Sequence, residues 1–371
     1  MKQELTTSDV FQVIEQLAPK TFAYDWDPVG LQVGSYNKSV SKIMVTLDVV
    51  EAVVDEAIEK NVDVIVAHHP LLFKPVQKIN TNTSIGRILQ KLLTNDITVY
   101  AAHTNLDIAQ NGVNDVLCKI IGIENTHVLV EKEAGQLLKL VVYVPKTHIE
   151  EVRNAISDAG VGHIGNYSHC TFQTKGQGTF KPLDGTNPYI GSVNELEKVE
   201  EVKLESIMEE SKLSSALTAI RQSHPYEEPA YDVYPLRNKG EIYGLGRIGE
   251  LINPTQLSDF CEQVKTNLEL DCVRVTGKMD KQVKTVAVLG GSGEKFIHQA
   301  KKKGADVFIT GDMTFHQAQD AQEMGLAIID VGHYAESVMK ASVQEYLATS
   351  LNGENVEIIV STTNTDPFQY A

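Results

Sequence analysis

The chain has 371 residues, and its 33 basic and 49 acidic side chains give a formal net charge of −16. An acidic surface repels phosphate backbones, and no dense stripe of Lys and Arg interrupts it, so nucleic acid is not an expected partner. No apolar stretch approaches the roughly 18 residues of a membrane span, and the first residues lack a signal-peptide pattern. We therefore expect a cytoplasmic protein of two or three domains with no membrane partner.

The first part of the chain alternates helical and strand patterns. An amphipathic helix is predicted over 8–18, with Thr7 or Ser8 as its cap. Near-continuous Val/Ile runs then alternate with helical segments, which is typical of strands buried on both faces of a parallel or mixed α/β sheet. The predicted strands cover 42–48, 62–70 and 97–104, and the predicted helices cover 50–61, 83–93 and 112–122.

Residues 284–361 repeat this rhythm. VDVIVAHHP (62–70) resembles ADVFITGDM (305–313), and ITVYAAHT (97–104) resembles LAIIDVGH (326–333). We interpret this as a diverged duplication. The predicted fold class is α/β, with two similar halves, 1–128 and 239–371, that together form one domain.

The middle of the chain has a different order of elements. Strand and helix patterns between 130 and 237 follow the order βαββαβ, which is that of a ferredoxin-like α+β unit. A Gly/Pro/Asn-rich stretch, 181–192, predicts a long exposed loop inside this unit. We therefore expect an inserted domain over 129–238.

His68 and His69 follow VDVIVA, at the end of the second predicted strand, and precede Pro70. Ligands bind at the carboxyl ends of strands in open α/β sheets. Because consecutive strand residues point to opposite faces, both imidazoles share a site only if the chain bends there, as Pro70 indicates, or if each serves a different ion. The alternative is that one histidine is packed and the other exposed.

His103 and Asp107 come after ITVY (97–100) of the next predicted strand, in a segment where Asn and Asp readily form turns. Asp107 is a candidate metal ligand, and the alternative is a cap for a helix over 111–121. His103 is a candidate proton shuttle, and the alternative is a structural hydrogen bond near the metal.

His333 and Glu336 follow a strand in the second half and lie three residues apart, so they share a helix face. A carboxylate in such a pair can bridge two ions, although a lone HxxE is usually solvated helix surface. Three such clusters at three strand ends predict a metal site. Imidazole with carboxylate favours zinc, iron, manganese or cobalt, and five ligands for two ions leave positions open for water.

Three further features are candidates for contact with a substrate or a metal ligand. The sequence GGSG at 290–293, with Gly291 and Ser292 at its centre, is either an anion-binding loop or a tight turn. Asp312 and His316 begin and line the helix at a fourth strand end, where His316 is equally consistent with a surface position.

Five motifs together resemble the Nif-three-like family, whose members are often labelled GTP cyclohydrolase I type 2 homologues. The motifs are HHP (68–70), HTNLD (103–107), GGSG (290–293), ITGDMTFH (309–316) and GHYAES (332–337). The resemblance implies a toroidal homohexamer with two divalent ions per subunit, zinc first, held by His68, His69, Asp107, His333 and Glu336. Some relatives place the last carboxylate four residues after the histidine, whereas here the spacing is three.

The segment HPYEEPAYDVYP (224–235) resembles the closing motif of CutA and PII-type trimeric signalling domains. That resemblance implies an insert found in the longer family members, with trimer contacts and small-molecule sensing. The alternative is that Pro225 and Pro229 only shape an edge strand, while His224 and the tyrosines pack a trimer contact.

The leading functional hypothesis is a metal-dependent hydrolase that acts on a small molecule resembling a nucleotide or a phosphoester. His103 and Glu336 are its candidate catalytic residues. The sequence lacks the cysteine/histidine zinc chemistry of the well-known GTP cyclohydrolases. The alternative is a non-catalytic hexamer that senses a metal or a metabolite.

Overall fold

The computed structural model describes residues 4–132 and 135–369. The chain divides into two compact units, one formed by Met1–Lys132 with Tyr243–Ala371 and the other by Glu133–Ile242. In these described ranges, no helix is both long and apolar enough to cross a bilayer.

The strands are numbered in chain order. They are β1 (Gly30–Val33), β2 (Lys42–Thr46), β3 (Val64–Ala67), β4 (Thr98–Ala101), β5 (Glu124–Glu131), β6 (Gln136–Pro145), β7 (Thr171–Phe180), β8 (Glu197–Glu209), β9 (Tyr231–Lys239), β10 (Gly244–Gln256), β11 (Arg274–Thr276), β12 (Gln282–Ser292), β13 (Val307–Gly311), β14 (Ala327–Asp330) and β15 (Glu357–Val360).

The α-helices are numbered in the same way, and short 3₁₀ turns carry no label. They are α1 (Thr7–Leu17), α2 (Glu51–Glu59), α3 (Ser84–Thr94), α4 (Thr104–Ile108), α5 (Val113–Ile121), α6 (Ile149–Asp158), α7 (Leu213–Ser223), α8 (Leu257–Asn267), α9 (Ile297–Lys302), α10 (Phe315–Glu323) and α11 (Met339–Ser350).

The first unit contains two sheets with the same central arrangement. In the order β1-β4-β3-β2-β15, strands β2, β3 and β4 are parallel and β1 runs antiparallel to β4. In the order β11-β14-β13-β12-β10-β5, strands β12, β13 and β14 are parallel and β11 runs antiparallel to β14. The carboxyl ends of three parallel strands therefore meet at one edge of each sheet.

Each sheet also takes a strand from the other end of the chain. Strand β15 pairs with β2 in the first sheet, and β5 pairs with β10 in the second. The predicted boundary at 128 falls inside β5, so the division of the sequence into halves does not coincide with the division into sheets. The alternation of strands and helices predicts pairing between strands that are close in the sequence. The pairs β15–β2 and β5–β10 instead join strands that are far apart in the sequence.

The central strands explain the hydrophobic runs in the sequence. Every residue of β3, β4, β13 and β14 is buried. Helices cover both faces of such strands, so apolar and polar residues do not alternate. The predicted cap of the first helix was wrong by one residue. Thr6 is the N-cap, and its side chain accepts a hydrogen bond from Asp9 N while the Asp9 carboxylate accepts one from Thr6 N.

The second unit contains one antiparallel sheet in the order β7-β8-β6-β9. Its elements follow one another as β6-α6-β7-β8-α7-β9, the βαββαβ order predicted from the sequence. A buried cluster that includes Leu140, Val152 and Ile220 packs the two helices against the sheet. The stretch 181–192 lies between β7 and β8 without regular secondary structure.

Candidate metal centre

The candidate ligands lie just beyond the carboxyl ends of the parallel strands. His68 and His69 follow β3, and His103 and Asp107 follow β4. The chain bends after β3, and the rings of His68 and His69 approach each other with centroids 5.1 Å apart. His68 is fully buried and His69 is partly buried. The bend predicted at Pro70 therefore brings both imidazoles to one centre.

His333 and Glu336 lie in a 3₁₀ turn, His333–Val338, that follows β14. A 3₁₀ turn has three residues per turn, so side chains three apart lie above one another. His333 Nε2 is 3.2 Å from Glu336 Oε2. The three-residue spacing that differs from some relatives is thus matched by the local geometry of the chain.

Four histidines are anchored through Nδ1, and each anchor is an oxygen acceptor. The pairs are His68 with Ala102 O at 2.8 Å, His69 with Asp48 Oδ1 at 2.7 Å, His103 with Asp27 Oδ1 at 2.9 Å and His333 with Asp312 Oδ2 at 2.6 Å. An imidazole that donates from Nδ1 keeps its Nε2 lone pair for a cation, and its ring orientation is fixed. This is the arrangement of histidines that bind metals in proteins.

Glu336 lies at the middle of the cluster and is only 3% exposed. Its Oε2 atom is 3.1 Å from His69 Nε2 and 3.7 Å from His68 Nε2. A Cβ at Gly291, where φ is +62°, would lie 2.7 Å from Glu336 Oε1. The glycines of the GGSG sequence therefore leave room for this carboxylate.

Asp107 and His68 leave two buried polar atoms without a hydrogen-bond partner. Asp107 Oδ1 and His68 Nε2 lie 3.6 Å apart, and neither atom has a partner. A buried polar group without a partner costs about 1–3 kcal/mol, so such atoms usually have a function. A divalent cation bound to both would satisfy them, and the donor set therefore fits a metal ion.

Asp107 does not cap the following helix. It lies inside α4, and the N-cap of α5 is Gly112, with no side-chain cap. The helix-cap alternative for Asp107 was therefore wrong. His103 lies just after β4, and the short helix α4 that follows brings Asp107 back toward the centre.

Burial and neighbouring charges strongly perturb the pKa values of this cluster. Burial alone lowers the pKa of His69, but its contacts with Asp48 and Glu336 raise it to about 10. The Glu336 contact, opposed by burial, raises the pKa of His333 to about 9. Burial raises the pKa of Asp107 to about 6, whereas burial at Glu336 is outweighed by the surrounding imidazoles, which hold its pKa well below the usual range. The field that favours protons on these imidazoles also favours a cation between them.

Three groups of side chains in the described residues can each hold a metal ion, with all their ligand atoms within 4.8 Å of one another. The groups are His68–His69–His103, His69–His333–Glu336 and His68–Asp107–Glu336. All five predicted ligands belong to these groups, and so does His103. The structure therefore brings the predicted ligands together, and their individual roles stay predictions.

The other predicted contacts differ in their distance from this cluster. Asp312 has φ +55°, a left-handed conformation that Asp tolerates, and it holds His333. Ser292 is exposed, beside Gly291, and pairs with Gly311 across the sheet. His316 is exposed on α10, where its ring is 3.3 Å from Gln319 Oε1, and it belongs to none of the three groups.

Two backbone N–H groups of the GGSG sequence already have acceptors within the protein. Gly290 N donates to Asn114 Oδ1 at 2.9 Å, and Gly293 N donates to Thr310 Oγ1 at 2.9 Å. These N–H groups are occupied by side chains of the protein. The small size of the glycines matters at this position, because Glu336 packs against them.

Sequence reasoning identified Asp312 but missed Asp48 and Asp27, which anchor His69 and His103. Asp48 follows β2 and also accepts a hydrogen bond from Thr365 Oγ1 at 2.5 Å. Asp27 lies in the loop before β1 and also accepts a hydrogen bond from Thr104 N at 3.0 Å. The acid after strand β2, in the same position as His69 after β3, was a signal available in the sequence. Asp27 and Thr365 carried no such signal.

A cavity of about 410 Å³ opens beside the cluster. His69, His333, Asp48 and Asp312 line one side of it. The C-terminal segment contributes other lining residues, including Thr365, Asp366 and Phe368. A small molecule in this cavity would touch the edge of the metal-binding cluster.

Comparison with known proteins places the chain in a family. The family model for Duf34/NIF3 (NGG1p interacting factor 3) matches residues 5–367. The chain belongs to the Duf34/NIF3 family. This agrees with the family resemblance carried by the sequence motifs.

Relatives and solved structures match over the whole length. A Bacillus subtilis (strain 168) protein named GTP cyclohydrolase 1 type 2 homolog is 49% identical over 372 residues, which cover 100% of each chain. The crystal structure of a Bacillus cereus protein related to NIF3 matches with a TM-score of 0.95 at 48% identity, covering 100% of both chains. A Staphylococcus aureus protein matches with a TM-score of 0.80 at 34% identity, again covering 100% of both.

Proposed function

We propose that this Duf34/NIF3 protein is a metal-dependent hydrolase with a dinuclear centre. The observation that carries the proposal is the convergence of Nδ1-anchored histidines on buried carboxylates, where His68 Nε2 and Asp107 Oδ1 lack hydrogen-bond partners. The proposed ligands are His68, His69, Asp107, His333 and Glu336.

The groups of ligand atoms support two ion positions. His68, Asp107 and Glu336 would hold one ion, and His69, His333 and Glu336 would hold the other. Glu336 belongs to both groups, so it is the proposed bridging ligand. Imidazole nitrogen with carboxylate oxygen suits zinc first, and also iron, manganese and cobalt.

When bound, two such ions acidify water and polarise the bond that is cleaved. His103 is the proposed proton carrier, because its ring lies 5.2 Å from His68 and 5.6 Å from His69, between centroids. Burial alone raises the pKa of Asp27, but hydrogen bonds with His103 and Thr104 lower it overall. Asp27 therefore stays ionised, holds the proton on His103 Nδ1 and leaves Nε2 to take or give a proton.

The proposed substrate is a nucleotide or a phosphoester-like small molecule. The name of the Bacillus subtilis relative, GTP cyclohydrolase 1 type 2 homolog, favours a nucleotide. Trp26 and Phe73 border His103 with ring centroids 6.3 and 6.4 Å away, and both are exposed. Exposed aromatic faces beside the centre suit stacking against a planar base.

The test measures metal content and turnover on the same preparations. Purified protein is loaded with zinc, manganese or iron and assayed against nucleotides and phosphoesters. We expect turnover that requires metal and is lost in His69→Ala, while His316→Ala, outside the cluster, retains it. Activity that survives His69→Ala contradicts the assigned centre. Fewer than two ions per chain contradicts the dinuclear arrangement.

The second candidate is a metal- or metabolite-sensing assembly without turnover, which the separate cavity of the inserted unit favours. The inserted unit is proposed to be CutA/PII-like and to supply trimer contacts in a homohexamer. Light scattering on the full chain tests this, and a mass other than six subunits contradicts it. Tight metal binding with no turnover on any substrate favours the sensing function.

A further inference from the structure

The inserted unit contains a cavity of its own, with a volume of about 490 Å³. The cavity lies where the end of β7, the loop 181–192 and the segment after α7 come together. Its volume is within the usual range of small-molecule pockets. Aromatic side chains form much of its wall, namely Tyr143, Phe180, Tyr189 and Tyr226.

The aromatic rings are inclined to one another. The Tyr226 ring centroid is 5.5 Å from that of Phe180 at an interplanar angle of 60°, and 6.4 Å from that of Tyr189 at 50°. Rings inclined at such angles line different sides of the cavity. The Tyr226 hydroxyl donates to Glu201 Oε1 at 3.0 Å, and donation to a carboxylate makes the ring more electron-rich.

The charged residues around the cavity are mainly acidic. Three carboxylates, those of Glu201, Glu227 and Glu228, line it, together with the ammonium group of Lys181. Glu227 also ties down the loop, because Asn187 N donates to its Oε2 atom at 3.2 Å. One side of the cavity is therefore formed by a loop that a cavity carboxylate holds in place.

His224 fixes two of the aromatic residues through the backbone. Its Nε2–H donates to Tyr143 O at 2.9 Å, and its Nδ1 accepts from Tyr226 N at 3.1 Å. His224 is buried, and with both nitrogens occupied it acts as a rigid link between β6 and the segment after α7. The HPYEEP sequence thus builds one wall of the cavity.

We propose that this cavity binds a small organic cation, either a quaternary ammonium or an amine. Aromatic faces carry negative electrostatic potential and attract ammonium groups within about 6 Å of the ring centre. The carboxylates also attract a cation, and they repel anions such as nucleotides. The ligand class of this cavity therefore differs from that of the metal centre.

The first test compares choline with 3,3-dimethylbutan-1-ol, which has the same shape and no charge. Isothermal titration calorimetry on the full-length protein measures both. We expect choline to bind about tenfold more tightly than the neutral analogue, since cation–π attraction acts only on the charged ligand. Equal affinity for the two overturns the proposal, and so does the absence of binding by choline, tetramethylammonium and a primary amine.

The second test uses substitutions that leave the fold intact. Tyr189 is 54% exposed and Glu227 is exposed, so Tyr189→Ala and Glu227→Gln remove a ring wall and a charge without opening the core. Each is expected to weaken choline binding several-fold, while Tyr167→Ala, at a tyrosine that is 74% exposed in the same unit, leaves it unchanged. Unchanged affinity in both variants overturns the proposal. A change of oligomeric state in Tyr189→Ala assigns the cavity to a subunit contact and also overturns it.

Discussion

His68 Nε2 and Asp107 Oδ1 face each other across 3.6 Å in the interior, and neither atom has a hydrogen-bond partner. His68 Nδ1–H already donates to the carbonyl of Ala102, so its other nitrogen presents a lone pair. The lone pair of His68 and the carboxylate oxygen of Asp107 both attract a cation.

Asp107→Asn is expected to lower the bound metal from two ions per chain toward one. The amide keeps the shape of the side chain but removes the charge that balances the ion. A ligand at a hundred times its dissociation constant stabilises a protein by about 2.7 kcal/mol. Because the variant should bind zinc more weakly, its melting temperature should rise less on adding zinc than that of the unaltered protein. Elemental analysis and calorimetry measure the two effects. His316→Ala is the control, and two ions retained in Asp107→Asn would show that Asp107 is not a ligand.

Gly291→Ala is expected to displace Glu336 and release metal. The added methyl group would lie 2.7 Å from Glu336 Oε1, at a φ of +62°. Gly304→Ala is the matched control, because its φ is +89° and a Cβ there meets nothing within 4 Å. Both variants carry a backbone strain of about 1–2 kcal/mol, but only the first should lose metal. Equal metal content in the two variants would show that the glycine is needed for conformation alone.

Asp27→Asn tests the role of His103. Without the carboxylate, His103 is no longer held as the Nδ1–H tautomer, and turnover is expected to fall about 10²- to 10⁴-fold, the usual contribution of a positioned acid or base. Metal content should remain at two ions per chain. The measurement pairs the turnover number with elemental analysis. Loss of an ion in this variant would instead assign His103 as a metal ligand.

Glu56 is expected to make stability depend on pH in the acid range. Burial raises its pKa, but hydrogen bonds from Lys60, Ser361, Thr362 and Thr363 outweigh burial and hold the pKa far below the usual range. A lowered folded-state pKa gives stability that is present above the unfolded pKa of about 4.3 and is lost as the pH falls below it.

Glu56→Gln should therefore flatten the loss of stability between about pH 5 and pH 3, and lower stability at pH 7 by about 1–3 kcal/mol. Urea unfolding across this pH range gives the measurement. Glu59→Gln, at an exposed position on the same helix, is the control. Parallel pH curves for the Glu56 variant and the unaltered protein would contradict the assignment.

The central strands and the gathering of ligands were predictable because they follow from local pattern. Buried parallel strands have sequences of consecutive Val and Ile residues, and the residues directly after such strands meet at one edge of the sheet. This is why His68, Asp107 and Glu336, far apart in the chain, were expected near one another. Membership of the Duf34/NIF3 family was also correctly predicted from the motifs.

The anchor Asp27 and the pairing partners of β5 and β15 were not predictable from local pattern. An aspartate that accepts from a histidine, such as Asp27, is recognisable only when the fold has placed it there. Strands β5 and β15 are short segments whose partners lie more than a hundred residues away in the sequence, and periodicity carries no information about such partners. His316, which the motif singled out, lies outside the cluster because it projects from the exposed face of α10.

The pairing of β15 with β2 also affects when the ligand cluster can form during synthesis. Thr365 follows β15 and bonds Asp48, which in turn orients His69. A nascent chain that has emerged only as far as the inserted unit has His68, His69 and Asp107 but lacks His333, Glu336 and this last link. The complete set of proposed ligands is therefore present only late in synthesis, and a chain that ends prematurely lacks part of the cluster.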